Sequence, residues 1–147
     1  MEKQFIPLVG GALFKDGKLL VLKRTLDKKF LPGVWEIPGG KVVWGEDPCA
    51  ALKREFMEET GLKVGNLRPF NVWSYLPIKF QQSASSEKFC IEIDFLVNCK
   101  NSEKIQLSAL EHSEFKWIEK GEKLEPCTPE MLKVIGKAFE TSESKHL

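Results

Sequence analysis

Cysteine and histidine are scarce in this chain, at four and two residues of 147, and neither is patterned. Cys49, Cys90, Cys99 and Cys127 form no CxxC pair, and His112 and His146 fall at no zinc-ligand spacing. Neither a disulfide framework nor a zinc site is therefore expected. Long apolar runs are also missing. None approaches the roughly 18 residues that a membrane helix needs. Met1-Glu2-Lys3-Gln4 leads into a strand-like segment rather than a signal-peptide core, so the expectation is a cytoplasmic protein without membrane contact. An excess of charge of one sign is absent as well: 22 Lys and Arg against 21 Asp and Glu leave +1. That gives no global field for steering a nucleic acid or an anionic surface, so any phosphate site must be local. No repeat, Pro/Ser-rich linker or low-complexity stretch divides the chain, and 42% hydrophobic with 29% charged residues excludes a disordered tail, collagen or a coiled coil. One domain over residues 1–147 is expected.

What is present reads as an α+β chain. Phe5 to Phe14 and Lys18 to Arg24 are apolar runs joined by Lys15-Asp16-Gly17, whose Asp-Gly predicts a hairpin turn. Residues 25–34 are charged, contain Pro32-Gly33 and predict a loop before a short strand at Trp35-Glu36-Ile37, which Pro38-Gly39-Gly40 should break. Asp47 as N-cap, Pro48 at the first helical position and Gly61 as terminator predict a helix over 48–60. Leu62 to Tyr75 reads as turn plus strand, and Ser83-Ala84-Ser85-Ser86 as a polar loop. Phe89, Ile91, Ile93, Phe95 and Val97 alternate with Glu92 and Asp94, as in a strand covered on one side. Glu114 to Ile118 predicts one more strand. Thr128-Pro129 opens a terminal helix whose stripe is Met131, Leu132, Ile135 and Phe139, with 141–147 frayed.

The informative segment runs from Gly40 to Leu62. On a helix Glu55, Glu58 and Glu59 stand at i, i+3 and i+4, so three carboxylates share one patch beside the apolar arc of Leu52 and Phe56. Such acids repel unless a cation lies among them, and Mg²⁺ or Mn²⁺ prefers carboxylate oxygen. A solvated face pairing with Lys53 and Arg54 is the plain alternative.

Gly40, Glu46, Arg54, Glu55, Glu58, Glu59 and Gly61, with apolar Phe56 and Leu62, match every specified position of the signature that marks Nudix hydrolases, and by this pattern the chain resembles that family of MutT-like enzymes. The resemblance implies an α/β/α sandwich with a mixed sheet and a loop-helix-loop motif. It also implies hydrolysis of a diphosphate bond, in a nucleoside diphosphate linked to another group, by water with divalent metal assistance. Carried over by position, Glu55, Glu58 and Glu59 and the carbonyl of Gly39 would hold the metal. Arg54 would fix a glutamate of the motif, and Glu46 would steady the loop. A later acid often completes such sites, and Glu111 is the candidate, against a plain exposed loop residue. Arg24 is placed for a phosphate contact, unless it is simply an edge-strand arginine. Ile37 occupies the position where some relatives carry an aromatic residue near the base. Stacking there is thus not expected, and Trp35, Trp44, Trp73 and Trp117 are read as packing or as its replacement. Glu92 and Asp94 are read as solvent-exposed or as lining the cleft.

Markers outside the motif bear on substrate. Pro77, fifteen residues past Leu62, resembles a feature of ADP-ribose hydrolases, whereas the short chain resembles the nucleoside triphosphate pyrophosphatases. Tyr75 falls short of the tyrosine found in diadenosine polyphosphate hydrolases. A (deoxy)nucleoside triphosphate is the favoured small-molecule substrate, with ADP-ribose second. A catalytically silent module of the same fold that binds a nucleotide and regulates a partner is the rival outside enzymes, and the intact acids speak against it. No nucleic-acid partner is expected.

Overall fold

The computed structural model describes residues 2–77 and 86–144. Its strands are β1 (Glu2–Lys15), β2 (Lys18–Arg24), β3 (Trp35–Glu36), β4 (Gly39–Lys41), β5 (Gly65–Tyr75), β6 (Ser86–Asn98) and β7 (His112–Ile118), and its helices are α1 (Pro48–Thr60) and α2 (Pro129–Glu143). The sheet is mixed, in the order β3-β2-β1-β6-β5, with β4 added to β1 and β7 to β2. Among the described residues its one parallel pair is β1 with β6, running in register from Glu2 opposite Ser86 to Leu13 opposite Val97.

Both faces of this sheet are covered, and the sequence shows why. Leu19, Leu20, Val21 and Leu22 are all at 0% exposure, which an alternating half-buried strand could not achieve. Leu20 and Leu22 join Leu52, Phe56 and Phe95 under α1, while Leu19 and Val21 join Trp35, Val134 and Phe139 under α2. Phe56 is fully buried, and truncating such a ring costs about 3–5 kcal/mol. The α/β/α sandwich is thus the observed architecture.

Helix α1 spans the residues expected. The Asp47 side chain accepts from the Cys49 and Ala50 amides, and Gly61 ends the helix at φ 72°, its N–H bonded to the Met57 carbonyl. The 16–17 turn likewise has both residues at positive φ, as Asp-Gly requires.

Other expectations need correction. Because β6 is an inner strand flanked by β1 and β5, Glu92 and Asp94 are buried, at 9% and 0% exposure, and do not face bulk solvent, while Glu92 lines the cavity. Arg24 does not lie on an edge strand, since β2 pairs with β1, β3 and β7. Gly39-Gly40 does not end pairing, because Gly39–Lys41 forms β4 against Leu8, Val9 and Gly10. Strand β7 begins two residues early, at His112. On α2, Val134 and Ala138 complete the buried stripe while Leu132 is 44% exposed, and the helix continues through the 141–143 segment read as frayed. Trp44 is fully exposed and packs on nothing, whereas Trp35 is core. Residues 83–85 of the expected polar loop, and residues 145–147, lie outside the described residues; Ser86 already belongs to β6.

Candidate active site

Strands β1 to β4 and β6, together with the C-terminal half of α1, line a cavity of about 720 Å³. Glycine makes the approach of helix to sheet possible. A Cβ on Gly40 would collide with the Glu55 carboxylate, and one on Gly39 with the Val9 carbonyl. With both absent, the acids of α1 reach the sheet.

Each acid has a distinct environment. Glu59 is almost fully buried; its Oε1 accepts the Gly39 N–H at 2.9 Å. Burial, and then the neighbouring Glu36, push its carboxyl well above the usual range, the Gly39 amide opposing them. Glu55 accepts from Arg54 Nη1 at 2.9 Å, yet burial outweighs that bond and raises its pKa, with Glu58 and Glu111 adding repulsion. Glu58 is the exposed member, with its side chain 58% accessible and Arg54 3.4 Å away.

Arg54 organises the preceding loop. Its Nε and Nη2 donate to the two oxygens of Glu46 at 2.8 and 2.9 Å, and Nη2 also reaches the Lys41 carbonyl. The Val43 amide donates to Glu46 as well. These bonds, Arg54 first, hold the Glu46 carboxyl down to about 2, and the guanidinium is held protonated beyond its ordinary range. The residue that fixes the loop and the residue that steadies Glu55 are thus one arginine.

The later acid is carried in by backbone bonds. The Ser108 amide donates to the Glu59 carbonyl, while Glu111 and His112 donate back to the Ser108 carbonyl. The turn is therefore stapled to the end of α1, and Glu111 joins the cavity wall with its carboxylate 2.7 Å from Lys28 Nζ. Arg24 lies in the same wall, its Nε donating to the Phe30 carbonyl and its Nη1 to Glu36. Ile37 is buried beneath the floor, 4% exposed, and the cavity extends past it to Tyr75 and Pro77.

Two residues escaped sequence reasoning. Among the described residues, Glu36, Glu59 and His112 form the one His/Cys/Asp/Glu group whose ligand atoms lie within 4.8 Å of one another. They come from β3, α1 and β7, and adjacency to Glu111 was the only local sign. A further pair, Glu92 and Asp94, accepts the Trp73 indole N–H at 3.2 and 2.9 Å. Glu92 is held well above the usual carboxylate range by burial and then by Asp94.

The oxygen-rich donor set suits a hard divalent ion. Two of its members carry raised pKa values because negative charge is crowded and poorly solvated, a cost that a cation would remove. A NUDIX domain family model matches residues 5–135. A Nudix hydrolase of Nostoc sp. is 31% identical over 122 residues, covering 81% of this chain and 70% of that one. An 8-oxo-dGTP diphosphatase of Buchnera aphidicola is 38% identical over 72 residues, 49% of this chain and 55% of its own length. The chain spans about half the length of the curated 8-oxo-dGTP diphosphatases it matches. The crystal structure of a MutT NUDIX hydrolase from Burkholderia pseudomallei shares the fold, with a TM-score of 0.76 at 22% identity over 92% of this chain and 97% of that one. No helix among the described residues is long and apolar enough to cross a membrane.

Proposed function

We propose that this chain, which belongs to the NUDIX domain family, is a Mg²⁺-dependent pyrophosphatase acting on a (deoxy)nucleoside triphosphate. The observation that carries the reading is the gathering of Glu55, Glu58, Glu59 and Glu111 on one wall of a cavity that also holds Lys28 and Lys41. The acids would hold the cation, and the lysines would receive phosphate oxygens. When bound, a divalent cation neutralises diphosphate charge and polarises its phosphoryl oxygens. The chain does the rest by positioning. The Gly39 amide fixes one oxygen of Glu59 and leaves the other available. Arg54 locks Glu46 and Glu55 together, so the loop before α1 and the helix move as a unit. The buried floor around Ile37 limits water beneath the substrate.

Pro77 in the wall favours ADP-ribose as a second reading. A screen with Mg²⁺ over nucleoside triphosphates, oxidised nucleotides, ADP-ribose and dinucleoside polyphosphates, with pyrophosphatase and phosphatase added to convert the products to inorganic phosphate, decides between them. Pyrophosphate from a triphosphate is the expected result. Turnover of ADP-ribose alone would select the second reading, and no turnover of any would reject both.

A further inference from the structure

The geometry points to His112 as a nitrogen ligand that this chain adds, through Nδ1, to a divalent cation shared with Glu59. The ring is buried, its side chain 1% accessible, yet it lines the cavity. Its two nitrogens have different partners. Nε2 lies 2.8 Å from Glu36 Oε2, and because a carboxylate oxygen can only accept, Nε2 carries the hydrogen. Arg24 Nη1 in turn stands 3.4 Å from the same Glu36 oxygen and steadies it. In the tautomer that this bond selects, Nδ1 is a bare lone pair. It has no hydrogen-bond partner among the described residues, although it is buried.

What Nδ1 faces is Glu59 Oε2, at 3.5 Å. The other oxygen of Glu59 is committed to the Gly39 amide, so Oε2 faces Nδ1 as a second lone-pair donor. Two donors facing each other across 3.5 Å lack the positive charge that belongs between them. Two atoms each about 2.1 Å from one ion stand roughly 3.0 to 3.4 Å apart at octahedral to tetrahedral angles, close to the separation seen. An imidazole that binds metal through one nitrogen and donates its other N–H to a carboxylate is the usual arrangement of such ligands. Here Glu36 supplies the carboxylate and Arg24 orients it.

Imidazole suits Zn²⁺ or Co²⁺ best and Mn²⁺ less, while Mg²⁺ keeps most strictly to oxygen. His112 therefore biases the site toward transition ions. The inference rests on the reading of Glu59 as a cation ligand, and its test separates the two. The chain has two histidines, so His146→Gln leaves His112 as the only imidazole. That protein, loaded with substoichiometric Mn²⁺, should show imidazole ¹⁴N coupling in pulsed electron paramagnetic resonance, and growth on ¹⁵N-histidine should convert the signal to ¹⁵N. In His112→Gln the coupling should vanish, and the ratio of Mn²⁺ to Mg²⁺ affinity, measured by calorimetry, should fall at least tenfold. The isotope experiment needs no change at His112, so it stands even if that variant fails to fold. Bound Mn²⁺ that is weakened by Glu58→Gln but shows no imidazole nitrogen would overturn the inference and leave the proposed function intact. Failure of Mn²⁺ to bind would reject both the ligand and the cation reading of Glu59.

Discussion

Two groups of acids line or underlie one cavity, and their fates differ. Glu55, Glu58 and Glu59 sit on the last turns of α1 and lie in the cavity wall, with Glu58 open to solvent. Glu92 and Asp94 sit on an inner strand, roofed by the Trp73 indole and by Asn71, whose side-chain amide donates to Asp94 at 3.0 Å. The helix acids have oxygens available to an incoming ion. Among the strand acids, Asp94 Oδ2 and Glu92 Oε2 accept from protein donors, while buried Asp94 Oδ1 has no hydrogen-bond partner among the described residues. A proton retained by Glu92 supplies that partner, consistent with its raised pKa. Crowded carboxylates can thus be relieved by a cation or by a proton, and the helix acids and Glu92 share one cavity.

The largest expected effect separates the groups by activity. Glu58→Gln keeps size and helix propensity but removes ligand charge, so Mg²⁺-dependent turnover should fall at least a thousandfold, about 4 kcal/mol in the barrier. Circular dichroism should be unchanged, because the side chain is exposed. Near-wild-type turnover would place the chemistry elsewhere.

A smaller effect tests whether the helix group extends to the stapled turn. Glu111→Ala should lower kcat about tenfold, or about 1.4 kcal/mol. Glu114→Ala is the control, since Glu114 is exposed on β7 and pairs only loosely with Lys23 at 3.5 Å. Equal, small changes in both would confine the site to α1 and Gly39.

The smallest effect concerns the strand pair. Because the folded pKa of Glu92 is raised, its contribution is fully present below about 4.5, the ordinary value, and is lost as pH climbs toward the folded value. Glu92→Gln is neutral at every pH and offers an N–H near Asp94. In metal-free melts the variant should match wild type at pH 5 and be the more stable of the two at pH 8. Equal destabilisation at both pH values would mean that no proton is held there.

Local chemistry made several features readable from sequence. The span of α1 followed from Asp47, Pro48 and Gly61 because caps act within a few residues. The first hairpin followed from Asp16-Gly17, and the clustering of Glu55, Glu58 and Glu59 from helical spacing. The family itself was legible because its motif lies within 23 consecutive residues and fixes most of the chemistry there.

Tertiary structure decided the rest. Alternation in 89–97 specified two faces but not what covers each, so the burial of Glu92 and Asp94 awaited the placing of β6 between β1 and β5. Arg24, Glu36 and His112 are separated by up to 88 residues, and only pairing of β2 with both β3 and β7 brings them to Glu59. Sequence by itself determined where the helix begins and which acids share its face, because those are contacts of three or four residues. Which acids meet a proton, a lysine or an imidazole was settled by strand order, because it depends on neighbours that sequence distance does not reveal.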